Sequence, residues 1–175
     1  MTVLDLYCGR GGWTRAFLAA GHSVVGVDLV HDAAYPREAR FVQADCRMFS
    51  VQPGSVDYVV ASSPCEEFSR FQMPWTRRRN PPHPALGIAL FEAAQRIARE
   101  AGAPLLQENV RSAQAFVGKA LTHVGPFYLW GDGVPALLPT RFRMRKKESY
   151  GSKERARRAE IPPDLAQHMA RMVAA

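Results

Sequence analysis

Thr2-Val3-Leu4-Asp5-Leu6-Tyr7-Cys8-Gly9-Arg10-Gly11-Gly12, followed by residues 13–20 and then by Ser23-Val24-Val25-Gly26-Val27-Asp28, reads as strand, glycine turn, helix and strand. The first run is short and mainly apolar, as a buried strand requires. Three glycines break it before a helix that Gly21 closes. Glycines permit a tight turn and let a ligand approach the backbone, and the helix amino terminus behind them offers unpaired N–H groups. The plainer reading of such a turn is a mere connection. Asp28 ends the second strand, the position at which nucleotide-binding α/β proteins hold a ribose hydroxyl pair. An acid that caps the next turn is the alternative.

Working outward, residues 39–43 form a third short strand, with Asp45 just past its end. Two acids and a glycine turn on one sheet edge suit an adenosine-containing cofactor. Val56-Asp57-Tyr58-Val59-Val60-Ala61 is a further buried strand, and Ser62-Ser63-Pro64-Cys65-Glu66-Glu67-Phe68-Ser69 follows it as a polar turn with a single thiol. Ligands collect outside the carboxyl ends of parallel strands, so Cys65 is a candidate nucleophile. A small buried hydrophobe is its bland reading. Residues 70–82 mix cations, aromatics and prolines without a period and predict a long loop. Its Arg77, Arg78 and Arg79, near Phe71 and Trp75, suit phosphates and bases, or else are solvated charges on a proline-rich connection.

Residues 84–101 carry Leu86, Leu90, Ala94, Ile97 and Ala101 at helical spacing, which predicts a scaffold helix packed on the sheet. Residues 104–110 predict a fourth major strand that ends in Glu108 and Asn109, a carboxylate beside an amide. If that strand neighbours the one before Cys65, Glu108 and the thiol share a cleft; otherwise Glu108 bonds a nearby loop. A helix over 112–122, a strand over 126–130 and a closing helix opened by Pro162-Pro163 and running to Val173 complete an alternating α/β pattern.

A length of 175 residues predicts one domain, residues 1–175. No uninterrupted apolar stretch approaches the roughly 20 residues that cross a bilayer, and the first residues do not resemble a charged leader. A cytoplasmic protein without a membrane partner is expected. Cys8, Cys46 and Cys65 match neither a disulfide framework nor a zinc site, so no metal is expected. The net charge of +7 is concentrated: residues 141–158 hold nine Lys/Arg against two acids, which leaves 14 of each among the chain's 23 basic and 16 acidic residues. Such a run is the footprint of a polyanion such as nucleic acid, or else a solvated basic loop.

Together these stretches resemble the cytosine-5 DNA methyltransferase family. Asp5-Leu6-Tyr7-Cys8-Gly9-Arg10-Gly11-Gly12 is similar to its cofactor motif, Ser63-Pro64-Cys65-Glu66-Glu67-Phe68-Ser69 to its Pro-Cys loop, and Glu108-Asn109-Val110 to its Glu-Asn-Val triplet. The resemblance covers about residues 2–145. It implies a Rossmann-like class I S-adenosylmethionine-dependent methyltransferase fold, with S-adenosylmethionine held by Asp5, Tyr7, Gly9, Gly11, Gly12 and Pro64, Asp28 at the ribose and Asp45 near the adenine. It implies that Cys65 attacks C6 of a cytosine while Glu108 bonds N3 and the exocyclic amine, and that Asn109 fixes the cysteine loop. Arg141-Phe142-Arg143-Met144-Arg145 resembles the family's Gln-x-Arg-x-Arg motif without its glutamine. Arg143 is the catalytic candidate because both registers include it.

Two departures matter. Glu66 stands where the family usually has glutamine, and its charge raises the thiol pKa. Only 15 residues, 146–160, separate the arginine motif from the last helix, where the family inserts its target-recognition region. The expectation is methyl transfer to cytosine C5 in duplex or single-stranded DNA with little sequence specificity, in a protein of phage or mobile-element origin. Arg141, Arg145, Lys146 and Lys147 then supply phosphate affinity. A second reading keeps the chemistry but changes the substrate to a free pyrimidine nucleotide, single-stranded DNA or RNA, or uses a modified cofactor or a separate recognition subunit. A third is a catalytically silent nucleic-acid-binding module.

Overall fold

In the computed structural model, seven strands form one sheet: β1 (Thr2–Leu6), β2 (Ser23–Asp28), β3 (Arg40–Gln43), β4 (Tyr58–Ser62), β5 (Leu105–Asn109), β6 (Thr122–Val124) and β7 (Phe127–Trp130). Residues 1–69, 82–136 and 161–173 are described. The strand order is β3-β2-β1-β4-β5-β7-β6, with β1 to β5 parallel and β7 antiparallel to both β5 and β6. Parallel neighbours need crossovers. Helix α1 (Gly12–Ala19) makes the first, and α2 (Glu66–Ser69) with α3 (Pro84–Ala101) lies between β4 and β5. The chain order reverses between β1 and β4, which is where α/β sheets open a crevice at their carboxyl edge.

Alternating side chains divide the sheet into two apolar faces. Val3, Val24, Tyr58, Val60, Leu106 and Leu129 pack with Trp13 and Phe17 of α1 and with Leu165 and Met169 of α5 (Pro163–Val173). Leu4, Leu6, Val27, Val59, Ala61 and Leu105 pack on the other side against Ala94, Ile97, Ala98 and Ala101 of α3. A third cluster of Phe68, Phe91, Ala113 and Trp130 lies beneath the cysteine loop.

The apolar stripe of α3 differs from the expected one in its first half: Gly87 and Phe91 are buried, whereas Leu86 and Leu90 are only half-buried. Phe68 sets this rotation. A Cβ on Gly87 would lie 2.9 Å from its ring, so the helix presents its smallest residue there. The helix expected over 112–122 is also corrected. A 3₁₀ turn (Arg111–Ala113) leads into the single-turn α4 (Gln114–Val117), which Gly118 stops at φ 88°. Thr122 and Val124 then favour extension, and Gly125 at φ 58° turns β6 into a hairpin with β7.

Among the described residues, no helix is long and apolar enough to cross a membrane. Leu165 is fully buried in the cluster that joins α5 to α1 and the sheet. Leu165→Ala is expected to lower unfolding free energy by about 2–5 kcal/mol in urea titrations. A loss below about 1 kcal/mol would mean that α5 is not docked on this face.

Candidate active site

The glycine turn starts from a constrained backbone. Tyr7 has φ 60°, and its N–H donates to Val27 O at 2.9 Å while its hydroxyl donates to Leu90 O at 2.6 Å. Gly11, at φ 80°, precedes α1, and a Cβ there would meet Pro36 at 2.5 Å. The turn is held by acids. Gly9 N donates to Asp28 Oδ2 at 2.9 Å, and Val30 N to Asp28 Oδ1 at 3.3 Å. Asp28 thus caps the loops on both sides of it, the alternative role that its position in the sequence allowed. Each oxygen keeps a second lone pair for a hydroxyl.

Asp5 is buried behind this turn. Its Oδ2 accepts from Thr14 N at 3.0 Å and from Thr14 Oγ1 at 2.6 Å, while Oδ1 is buried without a partner. Burial raises its pKa to about 7, Thr14 opposes that rise, and the Asp28 charge adds to it. Asp45, past β3, forms a bidentate ion pair with Arg47 Nε (3.1 and 3.0 Å) and a 2.6 Å bond with Nη2. Arg47 keeps its pKa below the usual carboxylate range.

Cys65 and Glu108 meet at the carboxyl edges of β4 and β5. Parallel pairing sets Ser62 opposite Glu108, and a cavity of about 290 Å³ is lined by Ser62, Pro64, Cys65, Glu108, Val110 and Phe127 among others. The neighbourhood expected of Glu108 and the thiol is therefore realised. Phe127 was not singled out in the sequence, since only the β6–β7 hairpin carries it to this rim.

The cysteine loop is clamped on both sides of the thiol. Asn109 Nδ2 donates to Ser63 O and to Ser63 Oγ, each at 3.0 Å, and Asn109 Oδ1 accepts from Val110 N at 2.8 Å. Beyond Cys65, Phe68 N and Ser69 N donate to its carbonyl at 3.1 and 2.8 Å, and His83 N donates to Glu67 Oε2 at 2.6 Å. The thiol is half-buried. Burial pushes its pKa up first, a hydrogen bond with Ser69 opposes this, and the Glu108 and Glu66 charges raise it further. Glu66 acts in the expected direction, but burial is the larger cause.

Glu108 is 8% exposed, and burial raises its pKa from 4.5 to about 7 against a hydrogen bond from Ser62. The side chain is thus a neutral acid over much of the pH range in which other carboxyls are charged. Ser62, opposite this acid, and Trp13, which donates to Ser62 Oγ at 2.9 Å, carry no signal of such a role in the sequence. Arg77, Arg78, Arg79, Arg141, Arg143, Arg145, Lys146 and Lys147 lie outside the described residues.

Residues 3–78 match the model of a methyltransferase domain. A 74-residue stretch is 32% identical to Type II methyltransferase M.AplI of Arthrospira platensis and covers 39% of this chain; the match spans about a fifth, 21%, of that protein's length. Among solved structures, the Dnmt2 methyltransferase of S. pombe is 18% identical, with a TM-score of 0.44 over 67% of this chain and 37% of that one. The Burkholderia thailandensis 1,6-didemethyltoxoflavin-N1-methyltransferase, solved with bound 1,6-didemethyltoxoflavin and S-adenosylhomocysteine, is 18% identical, with a TM-score of 0.40 over 74% of this chain and 53% of that one. The fold is the Rossmann-like α/β fold expected from the sequence.

The folded protein holds a proton on Glu108 between pH 4.5 and about 7 that the unfolded chain releases. The stability from this group is complete below the lower value and lost as pH rises through the upper one. Glu108→Gln is expected to shrink the fall in unfolding free energy between about pH 4 and about pH 8 by roughly 2–4 kcal/mol. Urea titrations at the two pH values measure it, and an unchanged fall would mean that Glu108 is not held protonated.

Proposed function

We propose that the protein transfers a methyl group from S-adenosylmethionine to C5 of cytosine in DNA, through a covalent Cys65 adduct and with little sequence specificity. The observation that carries this reading is the thiol of Cys65 and the carboxyl of Glu108 lining one cavity at adjacent strand ends. The methyltransferase-domain match over residues 3–78 and the local similarity to a Type II methyltransferase support the reaction class.

The cofactor end is supported by its donor set. Asp28 offers spare lone pairs at the glycine turn for two ribose hydroxyls, and the buried, unpartnered Asp5 Oδ1 leaves one acceptor behind the turn open. Asp45 lies past the neighbouring strand end, on the adenine side. Both its oxygens accept from Arg47, so a bond to the amine replaces one of those. Pro64, exposed at the start of the cysteine loop, borders the cavity between the two ends. When bound, S-adenosylmethionine supplies an electrophilic methyl group on a sulfonium sulfur.

Cys65 Sγ gives up its proton to solvent and bonds C6 of the ring, which makes C5 nucleophilic towards the methyl group. Glu108, as a neutral acid, donates a hydrogen bond to N3, and its carbonyl oxygen accepts from the exocyclic amine. That donor stabilises the negative charge spreading into the ring as the thiolate adds. After transfer, the C5 proton goes to solvent and Cys65 Sγ leaves C6, which restores the aromatic ring. Asn109 holds Ser63, and with it the loop that aims the thiol.

A thiol raised by burial is mainly protonated in the free protein, so its activation belongs to the bound state. Arg143 is the cation assigned to that step. The base must leave a duplex stack to reach Cys65. Arg77, Arg78, Arg79, Arg141, Arg145, Lys146 and Lys147 are assigned to the phosphates, where they add affinity without reading bases.

Nucleoside mass analysis after incubating duplex and single-stranded DNA with protein and S-adenosylmethionine tests the reading. A methyl-sized gain on cytosine is expected, reduced at least about 100-fold in Cys65→Ser. The preferred strand form is read from the same experiment. Cofactor binding without gain on either substrate would move the chemistry to another pyrimidine, a modified cofactor or a partner-dependent enzyme. Absence of cofactor binding would overturn the proposal in favour of a silent binding module.

A further inference from the structure

Ser62 ends β4 directly opposite Glu108. Its Oγ accepts a hydrogen bond from Trp13 Nε1 at 2.9 Å, and its side chain lines the same cavity as the Glu108 carboxyl. An indole N–H can only donate, and a serine hydroxyl has one proton. With Trp13 occupying a lone pair of Oγ, the hydroxyl proton is left to turn towards the Glu108 carboxyl beside it. Trp13 is 2% exposed, packed among Phe17, Val60 and Leu106, and one residue behind Gly12. Its indole is therefore fixed by the core, and it anchors the serine that stands beside the acid in the cavity.

We propose that Trp13 and Ser62 are positioning residues for Glu108: Trp13 orients the Ser62 hydroxyl, and that hydroxyl holds the carboxyl in the direction from which it bonds the pyrimidine ring. This rests on the cytosine reading of the cavity. The device couples two ends of the site, because α1 follows directly on the glycine turn and carries the indole that sets the acid. A buried carboxyl with rotational freedom would otherwise offer its proton in more than one direction, and only one points at the substrate. The bond from Ser62 favours the ionised acid and so works against the burial that raises its pKa.

Carbon-13 NMR titration of glutamate-labelled free protein tests the chain of bonds without any turnover, with Glu108→Gln identifying the resonance. Ser62→Ala removes a hydrogen bond to the charged form, and the Glu108 titration is expected to move up by roughly 0.5–1 pH unit. Ser62→Thr keeps a hydroxyl and should titrate near the parent protein. Trp13→Phe should shift the resonance in the same direction as Ser62→Ala, by less, and circular dichroism checks that each variant is folded. In methyl transfer, Ser62→Ala should lower kcat by roughly tenfold with the KM for S-adenosylmethionine unchanged. The alkaline limb of its pH profile should follow the Glu108 titration upward.

A Glu108 titration unmoved in both Ser62→Ala and Trp13→Phe overturns the proposal. A titration that moves while the pH profile of kcat stays in place overturns the positioning role. Failure of the parent protein to methylate cytosine overturns the function on which the proposal rests. The titration of the free protein is read independently of that outcome, so the two failures are distinct.

Discussion

The parallel pairing of β4 with β5 is the constraint on which the site depends. It sets Ser62 against Glu108 and Ala61 against Gln107, so two segments more than 40 residues apart in sequence deliver a thiol loop and an acid to the same edge. Side chains alternate along a strand, and a slip of one residue would reverse every one of them. Glu108 would then face α3, and Asn109 would lose Ser63. Burial makes that slip costly, because Val59 and Leu105 serve one apolar face while Val60 and Leu106 serve the other.

Around this pairing the fold breaks local rules where the chemistry lies. Asp5 and Glu108 are acids in places where burial disfavours their charge, and each is held by hydroxyl donors: Thr14 for Asp5, Ser62 for Glu108. Asp5 Oδ1 and Gln107 Oε1 are buried without partners. Tyr7 occupies a left-handed backbone region that costs a residue with a side chain about 1–3 kcal/mol. Its N–H and hydroxyl are both tied to other elements, which offsets that strain and fixes the turn. Departures of this kind concentrate at functional sites, since packing alone would remove them.

The cysteine loop is kept in place by aromatic packing as much as by hydrogen bonds. Phe68 is fully buried, stacks on Phe116 with centroids 5.5 Å apart, and rests on Gly87 of α3. Phe91 of the same helix meets Trp130 of β7 edge-on at 5.3 Å. The third apolar cluster thus links the short helix after Cys65, the long scaffold helix and the antiparallel strand. Movement of the thiol relative to Glu108 would have to open this cluster, and that resistance keeps nucleophile and acid in register.

The parallel strands, the glycine turn, the long helix and the short list of reactive side chains are legible in the linear chain, because apolar period, glycine and strand-end position are local signals. Asp28, Cys65, Glu108 and Asn109 were legible as candidates for that reason. Which of them meet is set by folding, since strand order and register are long-range pairings that leave no mark on a single segment. It also decided that Asp28 caps the glycine turn, that 112–122 splits into a turn and a strand at Gly118, and that α3 turns Gly87 and Phe91 inward around Phe68. Above all it joined Trp13 to Ser62 and Ser62 to Glu108. These residues come from three separate elements, and nothing but packing brings an indole, a hydroxyl and a carboxyl within hydrogen-bond reach.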